Sequence, residues 1–274
     1  MRVGPWRIDR EPQGREEFVI RLLKGAVKWV LRNFGLVIFK RSTGIYIGED
    51  ETPELVLRLC ATVAPMVVDG GAHRGAFVEA IHKNCSNAQF LCFEPDPVLA
   101  SELRRRFSHD TAVQVVEAAL GASCGRAVFN INRSRATNSL AVDTGGTTGL
   151  LSELMTTVER IEVDVTTLDE ALRKFSVPIC DVLKLDLQGN DLPALEGAEI
   201  ALRSAKVVVV EVWFAPVYTR TPTYAGIYSF LCARGFEMYS LSGLHYSTSD
   251  RLLWGDAIFL RKDSPYLSKL VTIA

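Results

Sequence analysis

A repeated alternation of short apolar runs and helical stretches, beginning near Pro65, is the feature that most constrains how this chain can fold. Each apolar run is continuous, which is typical of strands that are covered on both faces of a sheet. Strands that alternate with helices indicate an α/β fold with a doubly wound, Rossmann-like and mainly parallel sheet. We predict strands at residues 66–68, 90–93, 113–116, 181–185 and 206–210, and helical stretches at residues 76–83, 98–107 and 192–204.

Two parts of the chain do not follow this alternation of strands and helices. Residues 121–167 are rich in turn-forming residues, with short strands expected at 127–131 and 160–165. We interpret them as an inserted loop and strand segment that lies over one edge of the sheet and over the ligand site. Residues 236–241 and 256–261 are two further strands joined by Ser/Gly-rich sequence, which predicts an antiparallel pair at the sheet edge.

The charge of the chain is divided unevenly along its length. Residues 1–41 carry a net charge of +6 and residues 42–274 a net charge of −7. The acidic body lacks the basic stripe of nucleic-acid-binding domains, so we expect no nucleic-acid partner. Residues 18–39 predict a helix with one apolar side, but basic residues interrupt it too often for a membrane span.

These features predict a basic helical extension, residues 1–55, before a main domain, residues 56–274. The extension either packs on the main domain or docks on an anionic membrane surface. Residues 1–13 are charged and contain no apolar segment typical of a secretory signal. The six cysteines form no CxxC pair, which indicates reduced thiols rather than a zinc site or a disulfide framework. We therefore expect a cytoplasmic protein, or one peripheral to the inner face of the membrane if the extension docks there.

Acidic residues follow four of the predicted strands. Asp69, Glu94, Asp186 and Glu211 each stand at the carboxyl end of an apolar run. Charged residues are rarely placed next to a core without a function or a partner. Ligands of doubly wound sheets bind outside the carboxyl ends of the strands, so these acids indicate a ligand site there.

The turn after the first strand reads DGGAHRG, residues 69–75. Glycines allow a tight turn and a close approach of backbone to ligand, but this is not the GxGxxG pattern of dinucleotide sites. An acid before the glycines would repel a pyrophosphate, whereas it suits a ligand with cationic groups such as S-adenosylmethionine. Glu94 lies 25 residues after Asp69, at the end of the second strand, where a carboxylate can accept hydrogen bonds from both ribose hydroxyls.

With these residues, the sequence resembles the FkbM family of S-adenosylmethionine-dependent methyltransferases over roughly residues 65–240. The resemblance implies a class I methyltransferase sheet and S-adenosylmethionine as cofactor. The block around Asp186 is its most specific part. The matching motifs are residues 68–75, 93–97, 119–121 with Gly125, 138–140, 167–169, 183–191 and 195–198.

The chain departs from the family pattern at two positions. His73 stands where the first loop usually has Asn, and Gln188 stands where the later motif usually has Glu, although Asp191 keeps a second acid. We assign ten residues to the cofactor site, and expect His73 to touch the cofactor. They are Asp69, Gly70, Gly71, His73, Gly75, Glu94, Pro95, Glu117, Ala118 and Asp186.

The resemblance implies methyl transfer to a hydroxyl of a sugar, a glycan or glycolipid, or a secondary metabolite. An alcohol is a poor nucleophile while it is protonated, so a base or a metal must help to remove its proton. The candidate catalytic residues are Asp186, Glu211 and His245, the last expected in a loop between the final two strands. Asp186 with Asp191 or Glu211 could also bind Mg²⁺, an alternative for which we assign no ligand set. The expected acceptor-binding residues are Asn138, Ser139, Trp213 and Tyr218.

Two other functions stay open from the sequence. One is an NAD-type sugar oxidoreductase or epimerase, which the acid before the glycines and the absence of GxGxxG argue against. The other is a non-catalytic module that binds the cofactor, for which the Gln188 substitution is the best argument. The expected partner is a small-molecule or glycan acceptor, and a homo-oligomer is also open.

Overall fold

The computed structural model describes residues 52–147, 149–218 and 223–268, all within one compact unit. The predicted extension, with its helix over residues 18–39, lies outside these residues apart from its last four. Within residues 52–147, 149–218 and 223–268, no helix is long and apolar enough to cross a membrane. The six cysteines are free thiols.

The helices and strands alternate as the sequence predicts. The strands are β1 (Met66–Gly70), β2 (Gln89–Phe93), β3 (Val113–Val116), β4 (Ala119–Leu120), β5 (Gly125–Asn132), β6 (Thr157–Thr166), β7 (Val182–Leu185), β8 (Val207–Trp213), β9 (Phe236–Tyr246) and β10 (Leu252–Arg261). The helices are α1 (Thr52–Cys60), α2 (Ala76–Asn84), α3 (Pro97–Arg106), α4 (Gly149–Leu154), α5 (Leu168–Lys174), α6 (Asp191–Glu196), α7 (Glu199–Ser204) and α8 (Tyr224–Ala233), with a 3₁₀ turn at Arg135–Thr137.

Seven strands form the main sheet in the order β3-β2-β1-β7-β8-β10-β9. The first five are parallel, and β10 runs antiparallel between β8 and β9. This confirms the doubly wound, Rossmann-like sheet with an antiparallel edge pair. β1 lies between β2 and β7, so the ends of these two strands stand on either side of its own end.

Both faces of the sheet are covered, as continuous apolar strands require. On one face, α1 and α2 pack against strand residues such as Val67, Val182 and Ile258. On the other face, α5 to α8 pack against residues such as Val68, Leu183 and Phe259. The carboxyl ends of the central strands are left open between these two layers.

The inserted segment contributes β5, α4 and β6, and its two strands join β4 in a second sheet, in the order β4-β6-β5. Its own apolar cluster contains Ala119, Phe129, Ile131 and Val163. The two predicted strands of this segment are present and longer than expected.

Two expectations about local structure were wrong. The single helix expected over residues 192–204 is two short helices, α6 and α7, which break at Gly197. The backbone of Gly121 approaches Gly197 so closely that a Cβ on Gly197 would lie 2.2 Å from the Gly121 oxygen. The Ser/Gly-rich sequence expected to be a loop after residue 241 continues β9 to Tyr246, because it pairs with β10.

Candidate active site

A cavity of about 440 Å³ opens at the carboxyl ends of β1, β2 and β7. Six of the ten residues assigned to the cofactor line it, namely Gly71, His73, Glu94, Pro95, Ala118 and Asp186. The inserted segment adds lining residues that include Phe129, Arg135, Asn138 and Leu140. Four of the assigned residues do not line the cavity: Asp69, Gly70 and Gly75, which shape the loop, and Glu117, which forms an exposed ion pair with Arg104.

The glycine loop is held tightly against the end of β2 and against the turn after β7. The N–H groups of Gly71 and Ala72 both donate to the Phe93 oxygen at 3.0 Å. Gly71 adopts a positive φ of 74°, and a Cβ placed on it would lie 2.1 Å from the Asp186 backbone oxygen. Glycine is therefore required here for two reasons, one conformational and one steric.

Gly71→Ala should lower the free energy of unfolding by about 2–4 kcal/mol, because it adds backbone strain and a clash against backbone. Gly145→Ala is the matched control, since Gly145 has φ +75° but nothing within 4 Å of an added Cβ. It should cost only the strain of about 1 kcal/mol. Urea unfolding measures both, and equal losses would contradict the close packing of Gly71 against Asp186.

Glu94 is the acid best placed to meet a ligand. It is buried, with 4% exposure, and it lines the cavity. Its Oε2 accepts the His73 N–H at 2.8 Å and its Oε1 accepts the Asp96 N–H at 2.9 Å. Burial raises the pKa of Glu94 to about 7, against these two hydrogen bonds, which favour the charged form.

Asp69, for which the sequence suggested a cofactor contact, does not line the cavity. Its side chain is completely buried, and Oδ1 lies 3.1 Å from the Lys184 ammonium. Oδ2 has no hydrogen-bond partner among the residues that the structure describes. Burial raises the pKa of Asp69, and Lys184 opposes that rise. Asp69 therefore anchors a buried ion pair beneath the cavity.

Lys184 is a site residue that the sequence analysis missed. It lines the cavity, and its ammonium lies 3.4 Å from the Gly71 oxygen and 3.8 Å from Asp186 Oδ2. Burial disfavours its charge, but Asp69 and Asp186 outweigh burial and raise the pKa of Lys184. The one signal in the sequence was a lysine inside an otherwise apolar strand.

Gln188 joins Asp186, which follows β7, to Glu211, which lies within β8. Its Nε2 donates to Asp186 Oδ1 at 2.9 Å and to Glu211 Oε1 at 3.1 Å. Its Oε1 accepts the Tyr218 hydroxyl at 2.8 Å. Asp186 is partly exposed at the cavity wall, whereas Glu211 is buried and does not line the cavity. Burial, followed by the charge of Asp186, raises the pKa of Glu211 well above its ordinary value.

The residues expected from sequence to bind the methyl acceptor do not all lie at the cavity. Asn138 lines the cavity, but its amide donates to Asp96 and its oxygen accepts the Asn132 N–H. Ser139 donates to the Gln188 backbone oxygen. Trp213 and Tyr218 are buried, and both have a polar atom bonded within the Glu211 and Gln188 network. Of this set, the structure brings only Asn138 to the cavity.

His245 does not lie in a loop, because it belongs to β9 and pairs across the hairpin with Trp254. The two rings stack at 4.5 Å with an interplanar angle of 10°. Burial lowers the pKa of His245. It does not line the cavity, so the structure does not bring it together with Asp186.

The acids do not fit the magnesium alternative. Asp191 uses both oxygens to accept the N–H groups of Leu187 and Gly189, and the Gln188 amide separates Asp186 from Glu211. Within residues 52–147, 149–218 and 223–268, no group of three or more His, Cys, Asp or Glu side chains is arranged to hold a metal ion.

The sheet order, the glycine loop and the acid after β2 together define a Rossmann-like methyltransferase fold. The family model described as the methyltransferase FkbM domain matches residues 69–238, and the chain belongs to this family.

The solved structures to which this chain is similar include two methyltransferases. The methyltransferase FkbM of Methylobacillus flagellatus KT is 16% identical over 72% of this chain, with a TM-score of 0.47. The chain spans 44% of the length of that protein. The precorrin-6y C5,15-methyltransferase of Geobacter metallireducens GS-15 is 13% identical, with coverage of 82% of this chain and 94% of that one and a TM-score of 0.45. A comparison with curated proteins found no match.

Proposed function

We propose that the chain is an S-adenosylmethionine-dependent O-methyltransferase that acts on a hydroxyl of a sugar, a glycan or glycolipid, or a secondary metabolite. The observation that carries this proposal is the buried Glu94 carboxylate at the cavity wall, beside the glycine loop after β1. Such an acid can accept both ribose hydroxyls of an adenosine ligand. The cavity is also bordered by Asp186, which favours a ligand with cationic groups.

Asp186 is the residue that we propose as the base. It is the one of the three candidate catalytic residues that lines the cavity. When bound, the cofactor would supply a methyl group on a sulfonium, whose sulfur leaves as a neutral thioether and needs no acid to expel it. Asp186 would accept the proton of the acceptor hydroxyl as the oxygen attacks. The raised pKa of Glu211 favours the protonated form of this carboxyl. The Gln188 amide donates hydrogen bonds to both Glu211 and Asp186, and so holds Asp186 in position.

The experiment that tests this function has two stages. Calorimetry with S-adenosylhomocysteine should show binding to the full chain. A screen with S-adenosylmethionine carrying a labelled methyl group, begun with deoxysugars and short glycans, should then identify an acceptor. Absence of binding at millimolar S-adenosylhomocysteine would overturn the proposal.

A second candidate function is a cofactor-binding module without turnover. The observation in its favour is Gln188. This residue stands where the family pattern has an acid, and its amide donates a hydrogen bond to one oxygen of Asp186. This candidate predicts S-adenosylhomocysteine binding without label transfer to any acceptor in the screen.

Cofactor affinity should depend on pH through Glu94. The ionised form accepts the ribose hydroxyls, and its pKa of about 7 in the free protein means that binding must release a proton below that pH. Affinity for S-adenosylhomocysteine should therefore be about tenfold weaker at pH 6 than at pH 8. Calorimetry in buffers of different ionisation enthalpy measures the released proton. Stronger binding at pH 6 would contradict the role given to Glu94.

A further inference from the structure

A short part of the inserted segment, residues 135–140, lines the cavity, and we call it the strap. Four of its six residues line the cavity: Arg135, Ala136, Asn138 and Leu140. The strap comes from outside the main sheet, and Ser139 pairs with Asn130 of β5 through two backbone hydrogen bonds. Further contacts hold the strap to the elements beside the site.

The strap is attached on both sides of β1. On the β2 side, Asp96 Oδ2 accepts the Asn138 amide at 3.0 Å and forms an ion pair with Arg135. On the β7 side, the Ser139 hydroxyl donates to the Gln188 backbone oxygen at 2.6 Å. Because β2 and β7 flank β1 in the sheet, these two attachments lie on opposite sides of the end of β1.

Asp96 is built into the core of the site. It is 1% exposed, and its Oδ1 caps α3 by accepting the Val98 N–H at 2.9 Å. The Glu94 carboxylate accepts a hydrogen bond from the backbone N–H of Asp96 and another from that of His73. The acid proposed to bind ribose and the attachment of the strap are therefore two residues apart and directly bonded.

Arg135 is suited to contact the adenosyl part of the cofactor. A guanidinium has five N–H donors, and its plane stacks on aromatic rings. Asp96 neutralises its charge, so that Arg135 does not repel a cationic ligand. Adenine is bonded to the ribose that Glu94 would hold, and Arg135 is held at Asp96, on the same side of the cavity.

We propose that Arg135 is a cofactor-contacting residue that packs on the adenosyl group, and that Asp96 is the positioning residue that holds it and the strap across the bound cofactor. This inference rests on the proposed function for the identity of the ligand. The attachment of the strap by Asp96 does not depend on it.

The test uses Arg135→Met in the full chain, with Arg133→Met as the matched control because Arg133 is exposed and does not line the cavity. Affinity for S-adenosylhomocysteine should fall about tenfold in Arg135→Met, mainly through faster dissociation, and stay within about twofold in the control. The affinity for adenosine should fall by the same factor. Unchanged S-adenosylhomocysteine affinity, or a loss for S-adenosylhomocysteine but not for adenosine, would overturn the contact with the adenosyl group.

Hydrogen–deuterium exchange of the strap in the unliganded protein tests the attachment separately. Exchange should be faster in Arg135→Met than in Arg133→Met, and faster again in Asp96→Asn, which keeps an oxygen able to cap α3. Equal exchange in the two arginine variants would overturn the positioning role. Failure of the wild type to bind S-adenosylhomocysteine would instead count against the proposed function and the adenosyl contact, while the exchange result would still decide the attachment.

Discussion

Glu94→Gln is expected to weaken S-adenosylhomocysteine binding by about 100-fold or more. Hydrogen bonds to a charged group contribute about 1.5–3 kcal/mol each, and a ribose offers two hydroxyls to this carboxylate. The amide would also disturb the protein without ligand, because the two oxygens of Glu94 each accept a backbone N–H, from His73 and from Asp96. A glutamine has one acceptor oxygen, so one of these N–H groups would face an NH₂ group.

Glu102→Gln is the matched control for this change. Glu102 accepts a hydrogen bond from Arg74 in a partly exposed ion pair and does not line the cavity. Its substitution should alter the S-adenosylhomocysteine affinity by less than about threefold, since exposed ion pairs contribute about 1 kcal/mol or less. Calorimetry at pH 8 measures both variants, and thermal unfolding shows whether Glu94→Gln is folded. A folded Glu94→Gln protein with wild-type affinity would refute the assignment of Glu94 to the ribose.

The central part of the fold could be predicted because its signals are local. The apolar runs that became β1, β2, β7 and β8 are continuous, and each is short enough for one buried strand. A strand that ends at an acid also fixes where that acid lies, at the edge where ligands bind. Glu94 and Asp186 could therefore be placed at one cavity from sequence, and both line it.

The side-chain partners could not be predicted, because register between distant strands decides them. Asp69 and Glu94 look alike in sequence, yet β1 pairs with β7 so that Asp69 lies beside Lys184, 115 positions away. Lys184 therefore makes Asp69 one partner of a buried ion pair, whereas Glu94 lines the cavity. His245 was misplaced for a related reason, since Ser/Gly-rich sequence is typical of loops and only pairing with β10 makes it a strand.

Lys184→Met should strongly destabilise the protein, because it removes one partner of the buried ion pair with Asp69. Removing one partner of a buried pair typically costs about 3–5 kcal/mol, because the other charge stays buried without compensation. Asp69 is completely buried, and Lys184 is 14% exposed, so water can do little to replace the lost ammonium. Chemical denaturation at pH 7 measures the free energy of unfolding. Lys206→Met is the control. Its partner Asp181 is also buried, but Lys206 itself is half exposed, so water can replace its ammonium and the loss of stability should be clearly smaller.

The double variant Asp69→Asn with Lys184→Met separates the ion pair from simple packing. If the cost of Lys184→Met arises from an uncompensated Asp69 carboxylate, removing that charge as well should recover stability, with a coupling of about 2 kcal/mol or more between the two positions. The loss in Lys184→Met should also shrink on acidification, because protonation of Asp69 removes the same buried charge that the substitution to Asn removes. Purely additive losses, or a Lys184→Met loss no larger than that of Lys206→Met, would show that the pair does not carry the stability of the loop above it. In that case the role of Lys184 would lie in binding a ligand at the cavity rather than in stabilising the fold.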